Sequence, residues 1–193
     1  MSIRRISLDE VAPQRWRDGG GVTRELLAWP AVEAWRLRIS VADVESDGPF
    51  SSFPAVERWF AVLDGKGVAL TVGGTAHRLT AESAPLRFSG EAPTTCRLLD
   101  GPTRDLNLML RGIRGGMFRV DAGRPWRPRA GQCGLFAAVA GQCFGAERIA
   151  VPARSLVWFD EAPASLTFVP DDADVAAIAW WLAATPQENS AWD

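Results

Sequence analysis

One histidine, His77, stands in a chain of 193 residues, and that scarcity removes more chemistry than any other feature. Zinc, iron or manganese centres of the usual kind take two or three nitrogen or sulfur ligands, often with a carboxylate. This chain cannot supply them from histidine, so neither a metal nor another cofactor is expected. A Ser-His-Asp triad would have to use His77, and no serine sits in a Gly-x-Ser-x-Gly elbow. A lone histidine is far more often structural than a ligand, and no catalytic residue is assigned.

Other absences narrow the field. The three cysteines (Cys96, Cys133, Cys143) are an odd number without C-x-x-C spacing, which fits buried, reduced thiols better than a disulfide framework. The formal charge is −2 and Lys66 is the one lysine, with no basic run to meet nucleic acid. No stretch approaches the roughly 18–20 apolar residues of a membrane helix. The opening MSIRRISLDEVAP lacks the apolar region of a secretory signal. The expected location is the cytoplasm, with no membrane partner. Gly19-Gly20-Gly21 is not a phosphate loop, because neither GxxxxGK[ST] nor GxGxxG surrounds it and no helical pattern follows. A glycine-rich β-turn is the reading that remains.

What the chain does have is strands. Thr23–Trp29, Trp35–Val44, Val68–Val72, Thr75–Leu79 and Leu106–Leu110 are separated by glycine or proline turns, the spacing of an all-β sandwich or barrel. Gly73-Gly74 reads as a hairpin turn, and Asp64-Gly65, between two apolar runs, as a second one. Only Val175–Ala184 has the length of a helix, and its β-branched start and Trp180-Trp181 leave it ambiguous. In WRLRISVADV, Leu37, Ile39 and Val41 face one way while Arg36, Arg38 and Ser40 face the other. That polar face is either solvated or, inside a barrel, a binding surface for an anion. A weak repeat lays Ala76–Leu99 over Ala146–Val169 without a gap, which suggests two copies of one β-module. The boundary falls in the Gly, Arg and Pro-rich stretch 111–129.

The residues that stand out lie in the first copy. Asp47-Gly48-Pro49 turns into an aromatic and hydroxyl cluster, Phe50 to Phe53, and a strand then carries Arg58. Asp105, Asn107 and Met109 share one face of DLNLML. Arg58 and Arg38 offer two guanidinium forks, and Asn107 an amide, for a carboxylate. The alternative is internal ion pairing of Arg24, Arg38 or Arg58 with Glu25, Glu57 or Asp105.

WRDGGGVTRELLAWP, RISVADVESDGPFSSFPAVERWFAVLDGKG, LRFSGEAP and DLNLML, in that order, resemble the HutD/Ves family of cupin-like proteins. The resemblance is strong over about residues 13 to 118. It implies a cupin-type β-barrel or jelly roll with two cupin halves in one chain (a bicupin), and the internal repeat agrees independently. The halves are set at 1–113 and 114–193, packed as one compact unit. The resemblance also implies a link to bacterial histidine utilisation or stress response, with no defined catalytic activity. It further implies binding of a small acidic metabolite of that pathway. Matched motif by motif, the pocket residues it implies are Trp16, Thr23, Glu25 and Arg38, then Ser40, Phe50, Arg58 and Asn107.

Two other functions stay open: a metal-independent isomerase or epimerase using Glu25 or Asp105 as base, and a protein-interaction module. A homodimer is also left open.

Overall fold

The structure is a computed structural model and describes residues 2–129, 131–172 and 178–186. Among them the first strands are β1 (Ile3–Ser7), β2 (Gln14–Arg15), β3 (Gly21–Trp29), β4 (Leu37–Val44), β5 (Gly48–Pro49) and β6 (Val56–Asp64). Then come β7 (Val68–Val72), β8 (Thr75–Leu79), β9 (Leu86–Ser89), β10 (Thr94–Leu98), β11 (Thr103–Arg111) and β12 (Ile113–Arg119). The last six are β13 (Gln132–Ala137), β14 (Gly141–Phe144), β15 (Arg148–Val151), β16 (Ser155–Phe159), β17 (Thr167–Pro170) and β18 (Ala179–Pro186). A 3-10 turn, Leu8–Glu10, follows β1. The stretch left ambiguous, Val175–Ala184, is a strand from Ala179 onward, and residues 175–177 lie outside the described residues.

Four sheets result, with orders β2-β3-β4-β11-β6-β9, β5-β10-β7-β8, β1-β16-β13-β18-β12 and β15-β14-β17. None of them closes on itself, so the expected barrel is corrected to stacked open sheets. The two large sheets meet across an apolar layer. Leu37, Ile39, Val41, Leu106 and Leu108 from one side pack with Phe136, Leu156, Trp158, Trp180 and Leu182 from the other. The six-stranded sheet covers its opposite face with β7, β8 and β10, through Phe60, Val62, Leu70 and Cys96. The five-stranded sheet does the same with β14, β15 and β17, through Leu135, Val157, Cys143 and Phe168.

Strand β4 shows why its sequence has two different faces. Leu37, Ile39 and Val41 are wholly buried in the central layer, each removing an aliphatic side chain from water for roughly 1.5–3 kcal/mol. Arg38 and Ser40 point the other way, toward the smaller sheet, and not into solvent.

The Gly73-Gly74 turn joins β7 and β8 as an antiparallel hairpin, with Val72 opposite Thr75. Asp64-Gly65 is not a hairpin turn. Strand β6 pairs with β11 and β9, whereas β7 pairs with β8 and β10. The chain at Gly65 passes from one sheet to another, and a Cβ there would lie 2.5 Å from the Pro102 carbonyl oxygen. Close backbone approach, not strand pairing, demands that glycine.

The first strand joins the far sheet, where β1 pairs with β16 from Ile3 opposite Phe159 to Ser7 opposite Ser155. The order β4-β11-β6-β9 recurs as β12-β18-β13-β16, and β10-β7-β8 recurs as β17-β14-β15.

Candidate functional site

A cavity of about 460 Å³ opens between the six-stranded sheet, the β2–β3 hairpin and the segment after β5. Cross-strand register builds its floor. Arg38, Met109, Arg58 and Phe88 lie in one row across β4, β11, β6 and β9. Ser40, Asn107 and Phe60 form the next row. Directly opposed residues point to the same face of a sheet, so one face collects two guanidiniums, an amide, a hydroxyl and two phenyl rings.

Arg58 lies at the floor and is 5% exposed. One guanidinium Nη donates to Asn107 Oδ1 at 3.1 Å, while its Nε–H has no acceptor. No ion pair reaches it among the described residues. Three rings flank it, Phe50 and Phe88 with centroids at 5.1 Å and Phe53 at 5.7 Å. Aromatic faces attract a desolvated cation but offer no lone pair to its N–H groups. Burial, and then the nearby charge of Arg38, lowers the Arg58 pKa to about 10, so it is charged at neutral pH.

Arg38 is different. Its Nε donates to Glu25 Oε2 at 2.6 Å, and both side chains are 17% exposed. This is the internal ion pair that the sequence left open, and it takes one of the two expected forks. Glu25 is thus the partner of a lining residue and does not itself line the cavity. Trp16, Thr23, Arg38, Ser40, Phe50, Arg58 and Asn107 all do.

Trp16 is held over the opening by its indole Nε1, which donates to Thr23 Oγ1 at 2.8 Å, and by edge-on contact with Phe50. The triple glycine makes this wall, as a β-turn between β2 and β3. The Trp16 N–H donates to the Gly21 carbonyl, and the Gly19 N–H to the Trp16 carbonyl.

Sequence reasoning did not name Phe53, Phe60, Met109 and Phe88 as site residues. The signal was present for two of them. Phe60 follows Arg58, and Met109 follows Asn107, by two residues on one strand face. Phe88 reaches Arg58 only through the β6–β9 register, which no local pattern encodes.

Asp105 shares the face of Asn107 but lies beyond the cavity lining, fully buried. Thr103 Oγ1 donates to its Oδ2 at 2.9 Å, and its Oδ1 has no partner. Burial raises its pKa to about 8 against the opposing Thr103 hydrogen bond, with the nearby charge of Asp43 adding to the rise. Among the described residues no group of three His, Cys, Asp or Glu side chains is placed to hold a metal ion.

The stacked antiparallel sheets make this an all-β protein of cupin-like fold, shared with a cupin 2 conserved barrel domain protein from Leptotrichia buccalis at a TM-score of 0.56 and 9% identity, over 97% of this chain and 98% of that one. More specifically, the chain belongs to the HutD family, whose model matches residues 8–151. An uncharacterised 21.2 kDa protein in the hutC 3′ region of Pseudomonas putida is 38% identical over 96 residues, 49% of this chain and 50% of that protein. Protein Ves of Cronobacter sakazakii is 38% identical over 100 residues, 51% of this chain and 55% of that one. The chain spans about half the length of the curated relatives it matches.

The structure of HutD from Pseudomonas fluorescens SBW25 has the same fold. Its TM-score is 0.82 at 23% identity, covering 96% of this chain and all of that one. A conserved protein of unknown function from Pseudomonas aeruginosa PAO1 superposes with a TM-score of 0.77 at 25% identity, over 95% and 96% of the two chains.

Proposed function

We propose that this protein binds a small carboxylate metabolite without a metal and serves as a sensor or regulator in bacterial histidine utilisation. The observation that carries the reading is Arg58. A guanidinium that is buried, charged and without a carboxylate partner is costly unless a ligand supplies the missing charge. Arg58 and Asn107 suit a carboxylate head group, and Phe50, Phe53, Phe60 and Met109 suit an apolar body. The histidine link rests on family membership and on the hutC neighbourhood of the Pseudomonas putida relative.

An isomerase would need a base in the cavity. Glu25 is held by Arg38, Asp105 is outside the lining, and the exposed lining carboxylate Asp18 accepts the Gly20 N–H within the glycine turn. We also read the two sheet pairs as two cupin halves, 1–113 and 114–193. The recurring strand orders support that reading, and β1 crosses the boundary. Three buried free thiols suit a reducing cytoplasm.

The test is thermal denaturation with a panel of small acids from histidine breakdown, including urocanate and formylglutamate. A ligand specific for the folded state at about a hundred times its Kd adds roughly 2.7 kcal/mol, a shift of several degrees. At least one acid is expected to give that shift in the wild type and none in Arg58→Met. No shift with any acid, or a shift that survives in Arg58→Met, overturns the proposal.

A further inference from the structure

Four arginines line the cavity: Arg15 and Arg17 are exposed, while Arg38 and Arg58 form the floor, and of that floor pair only Arg58 lacks a counter-charge. Arg38 and Arg58 occupy one cross-strand row, separated by Met109. They are near enough for the Arg38 charge to disfavour that of Arg58. Left to themselves, two guanidiniums on one floor would suit a ligand burying two negative charges. Glu25 changes that balance. Its carboxylate takes the Nε–H of Arg38 at 2.6 Å, while Arg58 keeps an unsatisfied Nε–H.

The backbone of β3 is built to make this contact. Its pairing with β4 shifts register between Glu25 and Leu27, so the strand carries one extra residue there. Such a bulge re-aims side chains. Leu26 and Leu27, adjacent in sequence, both enter the central apolar layer. Glu25 is left pointing to the opposite face, where Arg38 stands. A regular strand would have alternated through this stretch and could not have buried both leucines on one side.

We infer that Glu25, by neutralising Arg38, leaves the floor one uncompensated positive charge and so selects acids that bury one carboxylate over acids that bury two. Glu25 is a specificity-determining residue that acts through Arg38 and does not touch the ligand. The inference rests on the carboxylate-binding reading above. A second carboxylate beside the first would meet an arginine already paired, and would lose its water without gaining a counter-ion.

The experiment is calorimetric titration at neutral pH with benzoate, which carries one carboxylate, and phthalate, which carries two on adjacent ring carbons. Wild-type protein is expected to prefer benzoate by about tenfold or more, because an uncompensated buried charge is expensive. Glu25→Gln frees Arg38 and is expected to shift the ratio toward phthalate by about tenfold. The double variant Glu25→Gln/Arg38→Gln restores the wild-type charge sum and is expected to restore the benzoate preference.

A ratio unchanged in Glu25→Gln overturns the inference. So does a wild-type preference for phthalate, which needs no variant and holds even if Glu25→Gln fails to fold. If the double variant behaves like Glu25→Gln, shape and not charge sets the choice, and the inference also falls. Failure of both probes and of every acid in the thermal panel would instead strike the carboxylate-binding reading itself.

Discussion

Arg58 and Asp105 are both buried on the cavity-side face of the six-stranded sheet, and burial acts on them in opposite ways. Arg58 stays charged because its pKa falls only to about 10. Asp105 is protonated through most of the neutral range because its pKa rises to about 8 from an ordinary 3.8. Between about pH 4 and 8 the folded protein therefore keeps a proton that the unfolded chain releases. Stability must fall as pH rises through that window, and the loss is complete above pH 8. Asp105→Asn is expected to flatten the pH dependence and to raise stability at pH 8 by on the order of 2–5 kcal/mol. Urea unfolding at pH 5 and pH 8 checks this, and equal effects of the substitution at both would contradict it.

At the scale of elements, alternation on β4 and the Gly73-Gly74 hairpin were legible because both depend on neighbours along the chain. Seven of the eight pocket residues named from motifs also line the cavity. What escaped depends on partners distant in sequence. The pairing of β6 with β11 and β9 is decided by layer packing, so the Asp64-Gly65 turn signal pointed to the wrong connection. The Glu25–Arg38 pair could be raised only as one of several, since the bulge that fixes it leaves no local signature.

Gly21 gives an element-level prediction. A Cβ there would sit 2.2 Å from the Asp43 carbonyl oxygen, a backbone atom that cannot swing aside. Gly21→Ala must push β3 away from β4, at a cost of about 1–3 kcal/mol. Gly48→Ala is the control, because an added Cβ meets nothing within 4 Å. It should change stability by less than about 0.5 kcal/mol. Thermal melts of the two variants decide the matter, and equal losses would contradict the register described for β3.

Across the whole molecule, the central apolar layer joins the six-stranded sheet to the five-stranded one, and β1 ties the start of the chain to β16. Separating the sheet pairs would expose Leu37, Ile39 and Val41 on one side and Trp158 and Trp180 on the other. That cost makes independent unfolding unfavourable. A single transition in urea is expected, with tryptophan fluorescence and far-ultraviolet circular dichroism superimposing. Two resolved transitions would show that the pairs are stable apart.

On the proposed function, the unpartnered Nε–H of Arg58 waits for an acceptor that a small acid provides. The most direct measurement follows the arginine side-chain Nε–H resonances of nitrogen-15-labelled protein during titration with benzoate. One resonance, absent from Arg58→Met, is expected to move saturably as it gains a carboxylate partner. If the Arg58 resonance stays in place while benzoate binds elsewhere or not at all, the cavity does not work as described.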